Sequence, residues 1–203
     1  MSKVILLEGI DGSGKTTLAN MIVESLKKTN DNVYYKKDPG STVIGEKIRD
    51  IVLNHKTKSK FTALLLFTAA RMELAEEIVN NKEDCIYVLD RWCPSTYVYQ
   101  GRELNETVIL MFEGFYKKII KPEMTFFIDV SPENAISNQN IRKKNRDVFE
   151  TYDNIEEYTK ELDRLRSRYL DYFNVNGTRI DGNRELNKVF EDIIYRINKS
   201  LAG

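Results

Sequence analysis

Eight residues near the start of the chain, Gly9 to Thr16, read GIDGSGKT and match the spacing G-x-x-x-x-G-K-[S/T]. An apolar run, Val4 to Leu7, precedes them, and apolar residues at helical spacing follow them, so the segment joins a buried strand to a helix N-terminus. Backbone N–H groups and the helix dipole converge there on phosphate oxygens. The motif predicts triphosphate binding, with Lys15 on the outer phosphates and the Thr16 hydroxyl on Mg²⁺. The residues predicted at the triphosphate are Gly9, Gly12, Ser13, Gly14, Lys15, Thr16 and Thr17.

An acid and a base follow a second apolar run, 86–89, as Asp90 and Arg91. A carboxylate after a buried strand is a suitable second partner for Mg²⁺, and a guanidinium beside it can bind an acceptor phosphate through two hydrogen bonds. The alternative interpretation is a structural ion pair between Asp90 and Arg91.

Phe67 and Arg71 are four residues apart and share one face of a predicted helix. A ring and a guanidinium so placed can stack on a base and hydrogen-bond its carbonyl group. No acid lies three or four positions from Arg71, so its partner must come from another element. The alternative is that Phe67 lies in the core and Arg71 reaches solvent. Two polar pairs have the same spacing, Ser95 with Tyr99 and Thr96 with Gln100.

These residues must be positioned by alternating strands and helices. The hydrophobic pattern predicts strands at 4–7, 33–35, 85–90, 125–130 and 179–181. It predicts helices at 15–28, 44–53, 61–79, 103–120, from 132 onward, 155–173 and 186–201. This alternation indicates an α/β fold with a mostly parallel sheet, in which ligands bind at the carboxyl ends of the strands.

Composition limits the possible functions. The 203 residues predict one domain, 1–203, and the equal counts of 31 basic and 31 acidic residues give no overall field that would attract nucleic acid or a membrane surface. No apolar stretch is long enough to cross a bilayer. Cys85 and Cys93 lie in or beside apolar segments without metal-ligand spacing, which favours reduced thiols in a cytoplasmic protein, or in the host cytoplasm if the source is viral.

Several motifs in order resemble the thymidylate kinase family. They are 7–17 (LEGIDGSGKTT), 38–40 (DPG) followed by 45–49 (GEKIR), 66–67 (LF) with Arg71, 89–92 (LDRW), 95–96 (ST), 99–101 (YQG), and 121–123 (KPE) before 127–130 (FIDV). The resemblance implies a P-loop kinase fold with a parallel five-stranded sheet and helices on both faces. It also implies transfer of the ATP γ-phosphoryl group to dTMP, giving dTDP and ADP, with Mg²⁺ and a homodimer.

The resemblance further implies roles for individual residues. Asp11 would meet the sugar 3′-hydroxyl or the water shell of Mg²⁺, and Arg49 with Arg91 would hold the acceptor phosphate. Phe67 would stack on thymine and Arg71 would bind its carbonyl group. The other residues implied at the acceptor are Asp38 in the Asp-Pro-Gly turn, Ser95, Thr96 and Gln100 at the base edge, and Tyr99 against the 2′ position of the sugar.

A lid segment, about 138–150, is also implied, with Arg142 or Arg146 stabilising the transferring phosphoryl group. Gly12 stands where some members carry that arginine. The chain departs from the bacterial pattern in having Lys37 and Asp38 in place of Arg-Glu, Trp92 in place of Tyr, and Val148 at the usual lid arginine.

Two alternatives remain open at this point. One is a deoxynucleoside monophosphate kinase with broader acceptor choice. The other is a GTP-dependent switch protein, because residues 81–84 match N-K-x-D. That match precedes a strand, whereas a base-reading loop must follow one, so we interpret it as a polar turn.

Overall fold

A computed structural model describes residues 2–55, 57–101, 104–142, 154–174 and 177–201. Its five strands are β1 (Lys3–Glu8), β2 (Val33–Lys37), β3 (Ile86–Asp90), β4 (Met124–Asp129) and β5 (Thr178–Asp181). The helices within the described ranges are α1 (Lys15–Leu26), α2 (Val43–Asn54), α3 (Lys60–Asn80), α4 (Cys93–Gln100), α5 (Glu106–Ile119), α6 (Pro132–Arg142), α7 (Ile155–Phe173) and α8 (Leu186–Leu201).

The strands form one parallel sheet in the order β2-β3-β1-β4-β5. Residues of β1 alternate between the two faces of this sheet. Ile5 and Leu7 pack with α1, α7 and α8, whereas Val4 and Leu6 pack with α3 and α5. Both faces are therefore covered by helices, which confirms the predicted α/β fold with a parallel five-stranded sheet.

Some element bounds differ from the sequence prediction for local reasons. The helix predicted over 103–120 begins only at 106, because the Asn105 side chain accepts the Thr107 N–H as an N-cap. A separate helix, α4, precedes it and includes the two polar pairs. Strand β2 continues to Lys37 because it pairs with β3 as far as Asp90, although its last residues are not apolar.

No helix in the described ranges combines the length and the apolar character that crossing a membrane requires. The carboxyl ends of β1, β2 and β3 lie side by side, and the polar residues that follow them form the site described next.

Candidate active site

The phosphate loop curls around the side chain of its own lysine. Lys15 begins α1 and is 5% exposed, and its Nζ donates hydrogen bonds to the carbonyl oxygens of Gly9 at 2.9 Å and Ile10 at 2.8 Å. Burial, and then the nearby charge of Arg91, lowers the pKa of Lys15 to about 8. A triphosphate bound at this loop would face the N-terminus of α1, with the Lys15 ammonium group beside it.

Helix α6 packs directly against the tip of the phosphate loop. Gly12 has a φ of 85°, and a Cβ placed on it would lie 2.2 Å from the carbonyl oxygen of Ala135. Asn138 and Gln139 of α6 donate hydrogen bonds to the backbone oxygens of Gly12 at 3.0 Å and Asp11 at 3.1 Å. This arrangement leaves no room for a side chain at position 12.

Thr16 and Asp90 meet at the start of α1. The Thr16 hydroxyl donates to Asp90 Oδ2 at 2.6 Å, and the Tyr35 hydroxyl donates to the same oxygen at 3.3 Å. Hard oxygen donors of this kind suit Mg²⁺, which usually keeps waters and substrate phosphates as its other ligands. Within the described residues no group of three or more His, Cys, Asp or Glu side chains is clustered for a metal. Two oxygen donors beside a phosphate loop fit a cation that takes its remaining ligands from phosphate groups and water.

Arg91 is held by hydrogen bonds on both terminal nitrogens. Nη2 donates to Asp11 Oδ1 at 2.6 Å and to the Tyr99 hydroxyl at 3.0 Å. Nη1 donates to Ser95 Oγ at 3.1 Å and to the Tyr169 hydroxyl at 3.0 Å. These contacts place the guanidinium group beside the phosphate loop, facing Asp11. Arg91 therefore forms its ion pair with Asp11, on the phosphate loop, and not with its neighbour Asp90.

Arg71 finds its acidic partner on another element, as its helix surroundings require. Its Nε and Nη2 lie 2.7 and 2.5 Å from Asp38 Oδ2, and Nη1 donates to Thr96 Oγ1 at 2.7 Å. The guanidinium carbon lies 5.4 Å from the ring centre of Trp92 and 4.6 Å from that of Tyr116. Burial raises the pKa of Asp38, and the charge of Arg71 opposes that shift. Arg71 is thus a buried side chain and not one that reaches into solvent.

Two adjoining cavities connect these groups. An inner cavity of about 450 Å³ is lined by the phosphate loop and the strand ends, and it includes Tyr35 and Lys37. A smaller cavity of about 180 Å³ shares four lining residues with it, Asp11, Asp38, Arg49 and Arg91. All ten residues predicted at the acceptor line this smaller cavity: Asp11, Asp38, Arg49, Phe67, Arg71, Arg91, Ser95, Thr96, Tyr99 and Gln100. Pro39 and Leu53 complete its wall.

Comparison with known proteins identifies the family of the chain. A sequence profile described as thymidylate kinase matches residues 7–193. The chain belongs to the thymidylate kinase family. Relatives named thymidylate kinase include that of Thermoanaerobacter sp. (strain X514), 35% identical over 204 residues with 98% of each chain covered. Another, from Buchnera aphidicola subsp. Baizongia pistaciae (strain Bp), is 36% identical, with 92% of this chain and 90% of the relative covered.

The N-K-x-D match does not lie at the site of this thymidylate kinase family member. Residues 81–84 precede β3 and so lie at the amino ends of the strands, away from the site. There Asn81 Oδ1 accepts a hydrogen bond from the Glu83 N–H, and the Asn81 side-chain NH₂ donates to the Tyr87 hydroxyl. The segment is a polar turn, as its position in the sequence predicts. Neither the comparisons nor this geometry supports a GTP-dependent switch protein.

The hydroxyl groups of Ser95 and Thr96 each contact an arginine of the site. Both residues line the acceptor cavity, but the Ser95 hydroxyl contacts Arg91 and the Thr96 hydroxyl contacts Arg71. These hydrogen bonds help to hold the two arginines, and the role of Ser95 and Thr96 at the base edge stays a prediction. Gln100 is half-buried at the same cavity and remains the predicted reader of the base edge.

Two parts of the site fall at or beyond the edge of the described residues. The predicted lid, 138–150, is described only to 142. Arg142 is the last residue of α6, and Arg146 lies outside the described residues.

Sequence reasoning also missed Glu8 and Tyr169, which join the Arg91 network from β1 and α7. A charged residue at the end of an otherwise apolar strand was the only signal for Glu8.

Proposed function

We propose that the protein transfers the γ-phosphoryl group of ATP to dTMP, giving ADP and dTDP. One observation carries this proposal: the cavity beside the phosphate loop adjoins a smaller cavity that contains every residue predicted at the acceptor, and Arg91 and Asp11 border both. Membership of the thymidylate kinase family supports dTMP as the acceptor.

In this proposal the triphosphate lies along the phosphate loop, with Lys15 beside its outer phosphates. Thr16 and Asp90 would hold Mg²⁺, and the ion when bound would supply positive charge to the phosphate oxygens. The nucleoside of ATP would occupy a further cavity of about 380 Å³ on the other side of the loop, whose wall includes Thr17 and Arg184.

The acceptor would lie in the smaller cavity with its base between Phe67 and Arg71. Its phosphate would reach the shared border, where Arg91 is fixed and where Arg49, whose Nη1 donates to the Pro39 carbonyl at 2.9 Å, lines both cavities. Holding the acceptor oxygen in line with the γ-phosphorus accounts for much of catalysis in phosphoryl transfer. Tyr99, packed over Arg91, would crowd the 2′ position of the sugar and favour deoxyribose.

The positive charge that stabilises the transferring group would come from Arg142 or Arg146. The tight contact between Gly12 and α6 supports this assignment, because an arginine at position 12 has no space in the loop. One of the two alanine variants, Arg142→Ala or Arg146→Ala, should lower kcat by about a hundredfold with little change in the KM for dTMP. Full kcat in both variants would rule out a lid arginine.

We also propose a homodimer formed through α3 and α5. The two helices are joined by a contact of 2.5 Å between the Thr68 and Tyr116 hydroxyl oxygens, and both expose apolar side chains. These exposed residues are Phe61, Leu65, Leu110, Met111 and Phe115. Such a surface is typical of protein–protein contacts. Sedimentation should give a dimer for the parent protein and a monomer for Leu65→Glu/Met111→Glu.

A cytoplasmic location is consistent with the two buried free thiols, Cys85 and Cys93.

An acceptor panel tests the activity. ADP formation is measured with dTMP, dUMP, dGMP, thymidine or no acceptor. We expect dTMP to give the highest kcat/KM and thymidine to give none, because Arg49 and Arg91 are placed for an acceptor phosphate. A preference for dGMP would refute the assignment to dTMP, and turnover of thymidine would refute a monophosphate kinase. Tyr99→Ala should raise the relative activity on UMP, whereas Tyr99→Phe should not.

A further inference from the structure

Glu8 is a fully buried acid that the proposed phosphoryl transfer does not use. It is the last residue of β1, and its side chain is 0% exposed. A buried carboxylate is retained in a fold only when hydrogen bonds and an opposite charge compensate it. Three donors meet this need: the Trp92 backbone N–H at 2.7 Å from Oε1, and the hydroxyls of Ser95 at 2.8 Å and Tyr169 at 2.9 Å from Oε2.

Each of these three donors is connected to Arg91, either through the chain or through a hydrogen bond. Trp92 is its neighbour in the chain, and the two hydroxyl groups are those that accept hydrogen bonds from Arg91 Nη1. A guanidinium group can only donate, so the hydroxyl oxygens must turn lone pairs toward it and their protons elsewhere. Among the described residues around these hydroxyls, Glu8 is the anion positioned to accept those protons. Burial raises the pKa of Glu8, and the charge of Arg91 and the three donors oppose this shift.

Glu8 also holds the backbone at Arg91. This residue has a φ of 74°, a left-handed conformation that is uncommon for a residue other than glycine. Two successive N–H groups fix it to β1: Arg91 donates to the Leu7 carbonyl at 3.0 Å, and Trp92 donates to Glu8. The turn from β3 into α4 therefore depends on the same carboxylate as the guanidinium group does.

We propose that Glu8 is a positioning residue for the acceptor phosphate, acting through Ser95, Tyr169 and the Trp92 N–H to hold Arg91 at the border of the two cavities. The proposal rests on the proposed function, in that Arg91 is taken to bind the phosphate of dTMP. It adds a requirement beyond that function: a residue outside both cavities should control binding of the phosphate while leaving binding of the base unchanged.

Glu8→Gln is the main test, because it keeps the size of the side chain and an oxygen for the Trp92 N–H while removing the charge. Binding of dTMP and of thymidine is measured by calorimetry. We expect the Kd for dTMP to rise at least tenfold and the Kd for thymidine to change less than twofold. The KM for dTMP should rise with it, whereas the KM for ATP should not. Tyr169→Phe should act in the same direction with a smaller effect.

Tyr172→Phe is the matched control, since it removes a hydroxyl on the same helix that donates to Glu113 and has no contact with Arg91 among those described. It should leave the ratio of the two Kd values unchanged. Equal weakening of dTMP and thymidine by Glu8→Gln, or no weakening of either, would overturn the proposal. If Glu8→Gln does not fold, Tyr169→Phe alone takes its place, with the ratio of the two Kd values as the criterion. Failure of the unaltered protein to bind dTMP would instead refute the proposed function.

Discussion

Arg71→Ala should destabilise the fold as well as weaken the acceptor. The side chains of Arg71 and Asp38 are 2% and 1% exposed, and the arginine also lies between the rings of Trp92 and Tyr116. Removing one member of a buried ion pair leaves an uncompensated charge and costs roughly 3 to 5 kcal/mol. With a urea dependence of about 2 to 3 kcal/mol per molar, the unfolding midpoint should fall by about 1 to 2.5 M.

A double-mutant cycle tests this reasoning. Arg71→Ala/Asp38→Ala removes both charges, so it should lose much less stability than the sum of the two single variants. Lys160→Ala is the control, because Lys160 pairs with Glu156 on the exposed face of α7, and its midpoint should match that of the unaltered protein. Additive losses in the cycle, or an unchanged midpoint for Arg71→Ala, would refute the buried pair as the source of the effect.

Activity of Arg71→Ala must be measured well below its unfolding midpoint. There we expect kcat/KM for dTMP to fall by about ten- to a hundredfold through the lost charged hydrogen bond, with the KM for ATP unchanged. An equal loss of kcat/KM for ATP would indicate that the variant is partly unfolded and that the effect is not specific to acceptor binding.

Three further predictions concern the phosphate loop and β4. Lys15→Ala should lower kcat by about a hundredfold or more while circular dichroism stays unchanged, and near-normal turnover would refute its assignment to the phosphates. Gly12→Ala should cost about 2 kcal/mol or more in thermal unfolding, because a left-handed alanine would also overlap the carbonyl oxygen of Ala135; an unchanged midpoint would contradict the tight contact. Burial alone raises the pKa of Asp129, but hydrogen bonds from two arginines outweigh it and hold the pKa below its usual value. The ionised Asp129 therefore stabilises the fold above the ordinary carboxyl pKa, and this contribution is lost as the pH falls through the lower pKa of the folded state. In Asp129→Asn, the free energy of unfolding measured in urea should depend less on pH in this acidic range.

Local patterns in the sequence predicted the fold, the phosphate loop and the residues after β3, whereas Asp38 and Arg49 at the smaller cavity were predicted only from the resemblance to the family. The spacing from Gly9 to Thr16 required a strand before it and a helix after it, and the structure has both. The rule that ligands bind at strand ends drew attention to Asp90 and Arg91, which do lie beside the loop.

Tertiary contacts decide what could not be predicted. Nothing near Glu8 in the sequence indicates that its partner is Tyr169, 161 residues further along. Likewise, spacing showed that Arg71 needs a partner from elsewhere, but only the fold identifies Asp38. The resemblance places Ser95 at the base edge, and only the structure shows that its hydroxyl group also contacts Arg91 and Glu8.

The placement of Ser95 and Thr96 at adjacent positions of α4 limits how this enzyme family member can change. One residue holds Arg91 and the next holds Arg71, so a single helical step, about 1.5 Å along the axis and 100° around it, sets the distance between the two cations. Inserting or deleting one residue there would move both together. An insertion or deletion in α4 therefore cannot lengthen the base end of the acceptor cavity alone, whereas a substitution such as one at Gln100 can change that end and leave Arg91 in place.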